Sequence, residues 1–170
     1  MNIVESKIYK MRPGYLSKFD SLVKRFAQFG GGAEENKYIE GHGFSSAYQF
    51  YTFAFFIGLY ANSPLDLSPD DKLVDFWEIE NWKPRPLINQ LISCALAESD
   101  FDMVGVENFD ESMVTQEVKK IRMTIERFAN GGFEIIQNSI DENPDEVAND
   151  DFFVKMLSNG SAHSTSSITS

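Results

Sequence analysis

The side chains able to do chemistry are few and badly placed for it. The chain holds two histidines, His42 and His163, and one cysteine, Cys94. His42 stands between Gly41 and Gly43 in a polar, glycine-containing loop over 30–43 and could act as a general base or touch a phosphate. No Ser, Cys or carboxylate stands at a spacing that completes a catalytic set around it, so it reads as a surface histidine. Gly41-His42-Gly43-Phe44-Ser45-Ser46 opens like a dinucleotide fingerprint but lacks the third glycine and a preceding strand. Gly30-Gly31-Gly32 lacks the Gly-Lys-Ser/Thr ending of a phosphate loop. Asp141-Glu142-Asn143-Pro144-Asp145 begins like a calcium loop, then fails at Glu146, where Gly belongs, and at Phe152, where Glu belongs. Cys94 sits in an apolar helical face, the setting of a buried, inert thiol. One cysteine allows no internal disulfide and no Cys-rich zinc site. The sequence thus offers no catalytic residue, no metal site and no cofactor site, and weighs against an enzyme.

Charge and aromatic side chains offer more. The 170 residues carry a net charge of −11, which argues against gripping duplex DNA over a broad surface, since that takes clustered Lys and Arg. The charge is uneven. Residues 1–30 hold six basic side chains (Lys7, Lys10, Arg12, Lys18, Lys24, Arg25) against Glu5 and Asp20. Residues 131–170 hold Lys155 against seven acids. Most such gradients are only a solvated surface. The sharper reading is a basic N-terminal helix that meets an acidic partner or nucleic acid through Lys18, Lys24 and Arg25. Trp77, Trp82 and Arg85, set among prolines, could form an aromatic-basic ledge for a base or a peptide. The plainer reading has both Trp rings closing one end of the core.

These residues must be positioned by helices. Residues 2–11 alternate loosely and suit a short strand or arm. Pro13 fits the first position of a helix on which Tyr15, Phe19, Leu22, Val23 and Phe26 recur at spacings of three and four. Ser45 or Ser46 caps a helix to about Asn62 that is apolar on most sides and therefore central. Ser68-Pro69-Asp70-Asp71 predicts a short helix to about Phe76 or Trp77, followed by an extended piece. Pro84 and Pro86 introduce a helix to Glu98. Asp110 caps a long helix that Gly131-Gly132 interrupts before the apolar pattern resumes, and a last helix runs from Phe152 to Leu157. The expectation is a mostly all-α protein: one compact helical domain, 1–157, of five to seven helices around a central aromatic helix. A possible short N-terminal strand precedes it, and a disordered Ser/Thr-rich tail, 158–170, follows. No segment resembles an export signal, and Phe50 to Leu59 is far shorter than the roughly 20 residues that span a bilayer. A cytoplasmic location follows as an expectation, with no membrane partner.

Two segments resemble a known family. They are Ser46-Ala47-Tyr48-Gln49-Phe50-Tyr51-Thr52-Phe53-Ala54-Phe55-Phe56-Ile57-Gly58-Leu59-Tyr60 with Pro64-Leu65 behind it, and Glu126-Arg127-Phe128-Ala129-Asn130-Gly131-Gly132-Phe133-Glu134-Ile135-Ile136. Together, with Cys94-Ala95-Leu96-Ala97-Glu98 between them, they resemble the small helical proteins associated with bacterial DNA phosphorothioation (DNA sulfur-modification) systems. Phe128 replaces the Tyr that usually opens the second run. The resemblance implies a DNA-modification or anti-phage setting and transfers no catalytic residue. In Asn130-Gly131-Gly132, two helical glycines cost roughly 1 kcal/mol each against alanine. They either end the helix at a glycine cap or let Gly131 or Gly132 pack tightly on the central helix near Gly58.

Three functions fit. The first is a non-enzymatic accessory protein that binds a protein partner of a defence or DNA-modification operon, and nucleic acid through its basic N-terminal helix. The second is a homo-oligomeric scaffold, suggested by aromatics in excess of one small core. The third is a small ligand-binding helical bundle with an aromatic pocket.

Overall fold

The computed structural model describes residues 2–27, 43–75, 77–149 and 151–158. The expectations placed on the glycine loop with His42, and on the tail beyond Ser158 with His163, lie outside the described residues. The chain is mostly helical, as its patterning predicts. Its elements are α1 (Ile3–Tyr9), β1 (Gly14–Leu16), α2 (Asp20–Phe26), α3 (Ala47–Tyr60), β2 (Leu73–Asp75), α4 (Arg85–Glu98), α5 (Glu111–Glu142) and α6, residues 152–158. Strands β1 and β2 form a two-stranded sheet. Contacts group the chain into two compact units. Unit 1 is Met1–Gly14 with Val74–Glu126, and unit 2 is Tyr15–Leu73 with Arg127–Ser170.

Several local expectations are corrected. The first residues form α1 rather than a strand, because the Asn2 side chain caps the helix by accepting from the Glu5 N–H at 2.8 Å, and Glu5 suits its positive end. The helix expected from Pro13 begins only at Asp20. Ahead of it Gly14–Leu16 is extended, because acceptors elsewhere claim its N–H groups. Glu126 takes that of Gly14 at 3.0 Å within unit 1, and Asn130 takes that of Leu16 at 2.8 Å within unit 2. Tertiary hydrogen bonds outweigh the helical spacing of the apolar residues. No helix follows Ser68. Its N–H bonds to the Asp71 carboxylate at 2.7 Å, closing a turn that leads into β2. Residues Ile79–Asn81 make a 3-10 turn where an extended piece was expected.

In unit 1, α4 starts at the predicted prolines and buries Ile88, Leu91 and Ala95. These join Ile79, Trp82 and the inward residues Val114, Val118, Ile121 and Ile125 of α5. The spacing 114, 118, 121, 125 is one helical face. The Asp110 carboxylate accepts from the Met113 N–H at 2.8 Å, as a cap at that position should.

In unit 2, α3 is the central aromatic helix. Ser46 caps it, and Phe50, Tyr51, Ala54 and Phe55 are fully buried. Phe133 sits among Tyr15, Phe19, Phe50 and Tyr51, with ring centroids 5.3 to 6.0 Å apart. Phe153 of α6 packs on Phe26, Phe44 and Phe53 at 5.2 to 5.5 Å. These are the edge-to-face and tilted arrangements that aromatic quadrupoles favour. Many of the rings that suggested an oligomer have ring partners inside this unit.

Helix α5 does not break at Gly131-Gly132; it runs unbroken from Glu111 to Glu142. The glycines serve close approach instead. A Cβ on Gly132 would collide with the Ala54 carbonyl oxygen, one on Gly131 with the Ser63 carbonyl oxygen, and one on Gly58 with the Phe128 carbonyl oxygen. Each obstacle is backbone, which cannot swing aside. We expect Gly132→Ala to destabilise the protein by about 1–3 kcal/mol or more through overpacking. A glycine in an unconstrained helix would gain roughly 1 kcal/mol on the same change. Denaturant midpoints for the two proteins decide between these opposite signs.

Candidate anion-binding groove

A groove of about 600 Å³ opens in unit 1. The C-terminal end of α1 and the residues after it supply Lys7, Lys10, Met11 and Arg12, and β2 supplies Asp75. Helix α5 supplies Thr115, Val118, Lys119 and Arg122, whose spacing of three, one and three puts them on one face. Met11 and Val118 are buried and form the apolar lining. Five cations therefore converge on one cavity of a chain whose net charge is −11.

Three of the five are partly neutralised. Lys7 meets Glu111 at 3.4 Å, Arg12 meets Glu78 at 3.5 Å, and the Arg122 Nε lies 3.8 Å from Glu126. That Nε is buried and donates no hydrogen bond among the described residues. Lys10 and Lys119 are exposed and have no ion-pair partner among the described residues. The groove thus holds two unclaimed ammonium groups and, at Arg122, an incompletely satisfied guanidinium. Such a set takes a multiply charged oxyanion, with Lys as a point charge and Arg as a planar donor.

The expected site residues fall elsewhere. Lys18, Lys24 and Arg25 belong to unit 2 and are locally engaged. Lys24 pairs with Asp20 at 2.7 Å, and the Lys18 and Arg25 cations lie 5.0 and 4.8 Å from the Phe19 and Phe26 ring centroids. Trp77, Trp82 and Arg85 belong to unit 1 but offer no shared ledge. Trp82 is fully buried, and its Nε1–H donates to the Trp77 carbonyl at 2.9 Å. Arg85 covers the Tyr9 ring at 5.0 Å and donates to the Glu80 carbonyl. Trp77 is 62% exposed. Asn130 is fully buried and, through its bond to Leu16, structural. Cys94 is half-buried rather than buried; burial and then the Glu98 carboxylate push its thiol up, away from nucleophilic thiolate. Reasoning from sequence missed Lys119 and Arg122, because they are far along the chain from the N-terminal cations. The available signal was their spacing with Thr115, which sets them beside the apolar face of Val114, Val118, Ile121 and Ile125.

The chain matches no protein-family model, no curated protein and no solved structure. The resemblance to phosphorothioation-associated proteins therefore stands on its two quoted runs alone. No helix among the described residues is long and apolar enough to cross a membrane, and none of their His, Cys, Asp and Glu side chains form a group of three or more that could hold a metal.

Beside the groove, Glu126 is 5% exposed. Burial pushes its carboxyl above the usual range, while the Gly14 N–H and Arg122 pull it back and Asp75 adds to the rise. A raised pKa means that ionisation is costly in the folded state. As pH climbs from the ordinary carboxylate value through the raised one, the unfolded chain has already lost this proton and the fold loses stability. Glu126→Gln keeps an oxygen for the Gly14 N–H and removes the titration. The stability of the variant relative to wild type should therefore rise with pH across that window and then level off, as read from denaturant unfolding between about pH 4 and pH 8. A difference that is flat or falling in pH would show that Glu126 is not held neutral by burial.

Proposed function

We propose that this chain is a non-enzymatic interaction protein that binds the phosphate backbone of nucleic acid through the groove of unit 1. The observation that carries the reading is the convergence of Lys7, Lys10, Arg12, Lys119 and Arg122 on one cavity of an otherwise acidic chain. The basic N-terminal segment contributes Lys7, Lys10 and Arg12 to this contact, and the second half of the charge comes from α5. The setting, a cytoplasmic DNA-modification or anti-phage system with a protein partner from the same system, rests on the resemblance of residues 46–60 and 126–136.

The acidic remainder confines the contact to a short stretch. With a net charge of −11 the chain repels an extended polyanion, whereas a few phosphates in the groove meet mainly cations. Binding should be weak at physiological salt and strongly salt-dependent, since counterion release supplies most of the free energy.

The test is titration of labelled oligonucleotides by fluorescence anisotropy at low salt. Wild type should bind, and log Kd should rise linearly with log salt. The Lys10→Glu/Lys119→Glu double variant should lose at least about tenfold in affinity and flatten the salt slope by roughly one to two units. Both lysines are exposed, so the fold should survive and circular dichroism should be unchanged. No binding by wild type at low salt sinks the reading. Binding of nucleoside triphosphates with no binding of oligonucleotides replaces it with a small-ligand site.

A further inference from the structure

Resting on that reading, we propose that the groove binds the end of a strand, taking its terminal phosphate monoester in preference to the phosphodiesters within it. The cations close around one cavity instead of forming a row. Lys7, Lys10 and Arg12 come from α1 and the residues after it, and Lys119 and Arg122 come from α5. A row along one element suits successive phosphodiesters, each with one charge. Cations gathered from two segments suit one group that carries several charged oxygens.

The local charge balance matches a single dianion. Beside the five cations, Asp75 lines the cavity, and Glu111, Glu78 and Glu126 are the ion-pair partners of Lys7, Arg12 and Arg122. With all four carboxylates ionised the set nets +1, and with Glu126 neutral it nets +2. Burial favours the neutral form of Glu126, and an anion that engages Arg122 favours it further. A phosphate monoester carries about −1.5 to −2 at pH 7 and neutralises the set. A phosphodiester carries a single charge and leaves the +2 set half compensated. A second phosphate drawn into the cavity exceeds the balance and meets Asp75.

The cations left open match a monoester's oxygens in number. Lys10 and Lys119 are exposed with no ion-pair partner among the described residues, and Arg122 has only Glu126, 3.8 Å from its Nε. A monoester presents three terminal oxygens to these three groups, where a diester presents two. The volume fits as well. A cavity of about 600 Å³ lies in the range that holds a small organic ligand, about 300–1,000 Å³. The terminal sugar can therefore enter with its phosphate, over the apolar lining of Met11 and Val118. A phosphate within the strand brings a nucleotide on each side into the same volume.

The test uses the full chain and a labelled oligonucleotide, displaced at low salt by unlabelled eight-nucleotide oligothymidylates. These bear a 5′-phosphate, a 3′-phosphate or hydroxyls at both ends. A ten-nucleotide strand with hydroxyl ends, whose nine phosphodiesters match the charge of the phosphorylated strands, controls for total charge. A phosphate at one end or the other should improve competition about ten- to 150-fold over both hydroxyl-ended strands. Lys10→Gln/Lys119→Gln should erase that advantage, with circular dichroism unchanged because both side chains are exposed. If the phosphorylated strands compete no better than the charge-matched one, the proposal is overturned and lysine-dependent backbone binding stands. An advantage that survives in the double variant also overturns it, since the added contact then lies outside the groove. If wild type binds no oligonucleotide at all, the reading beneath it fails instead.

Discussion

Backbone meets backbone where Gly131 and Gly132 pass Ser63 and Ala54, and where Gly58 passes Phe128. Everything else in unit 2 depends on that approach. Helices normally stand about 8–10 Å apart because side chains fill the gap. With no Cβ at these positions α3 and α5 come closer, and the peptide groups themselves form the contact. The closeness dictates where the rings go. Phe133, the residue after the glycine pair, is brought to Phe50 and Tyr51 of α3. A wider gap would leave those rings without edge-to-face partners. The two glycines cost helix propensity, and the aromatic packing offsets it.

Polar side chains complete the constraint from the same helix. Glu126 and Asn130 are one turn apart on α5, and each binds a backbone N–H of β1 within its own unit. A buried N–H left without an acceptor costs about 1–3 kcal/mol, so these two side chains fix the extended conformation of Gly14–Leu16 against its helical spacing. Asn130 is therefore held by a different requirement from its glycine neighbours. It supplies an acceptor, and they supply the absence of a side chain.

The helices were legible in the sequence wherever caps and a long apolar period agreed. Ser46, Asp110 and the Pro84-Pro86 pair each mark a helix start correctly, and the aromatic run of α3 marks the centre of unit 2. Legibility failed where a distant group decides a local conformation. Nothing near Pro13 announces that Gly14 and Leu16 will find acceptors more than a hundred residues away. Ser68 and Asp71 read as a helix cap because the same residues cap helices and close turns. The groove was half legible. Lys7, Lys10 and Arg12 were visible as an excess of charge, but charge along a chain does not say which helix will face it. Lys18, Lys24 and Arg25 looked equivalent and instead engage Asp20, Phe19 and Phe26. Trp77 and Trp82 differ by complete burial despite similar surroundings in sequence, because only Trp82 lies at the end of the 3-10 turn that carries Ile79 into the core.

Arg122 connects the interior of unit 1 to its groove. Its Nε lies near the buried Glu126 carboxyl, and its side chain lines the cavity. A guanidinium with one buried edge loses freedom before any ligand arrives, so less entropy remains to be lost on binding. The carboxyl that holds it is also the one that burial disfavours as an anion. An oxyanion in the groove and an ionised Glu126 draw on the same cation. The positive character of the groove is greatest when Glu126 is neutral and diminishes as it ionises. The β1 backbone, through Gly14, favours the ionised form, while burial favours the neutral one. The charge presented at the cavity is set by that balance inside unit 1, and not by the count of lysines alone.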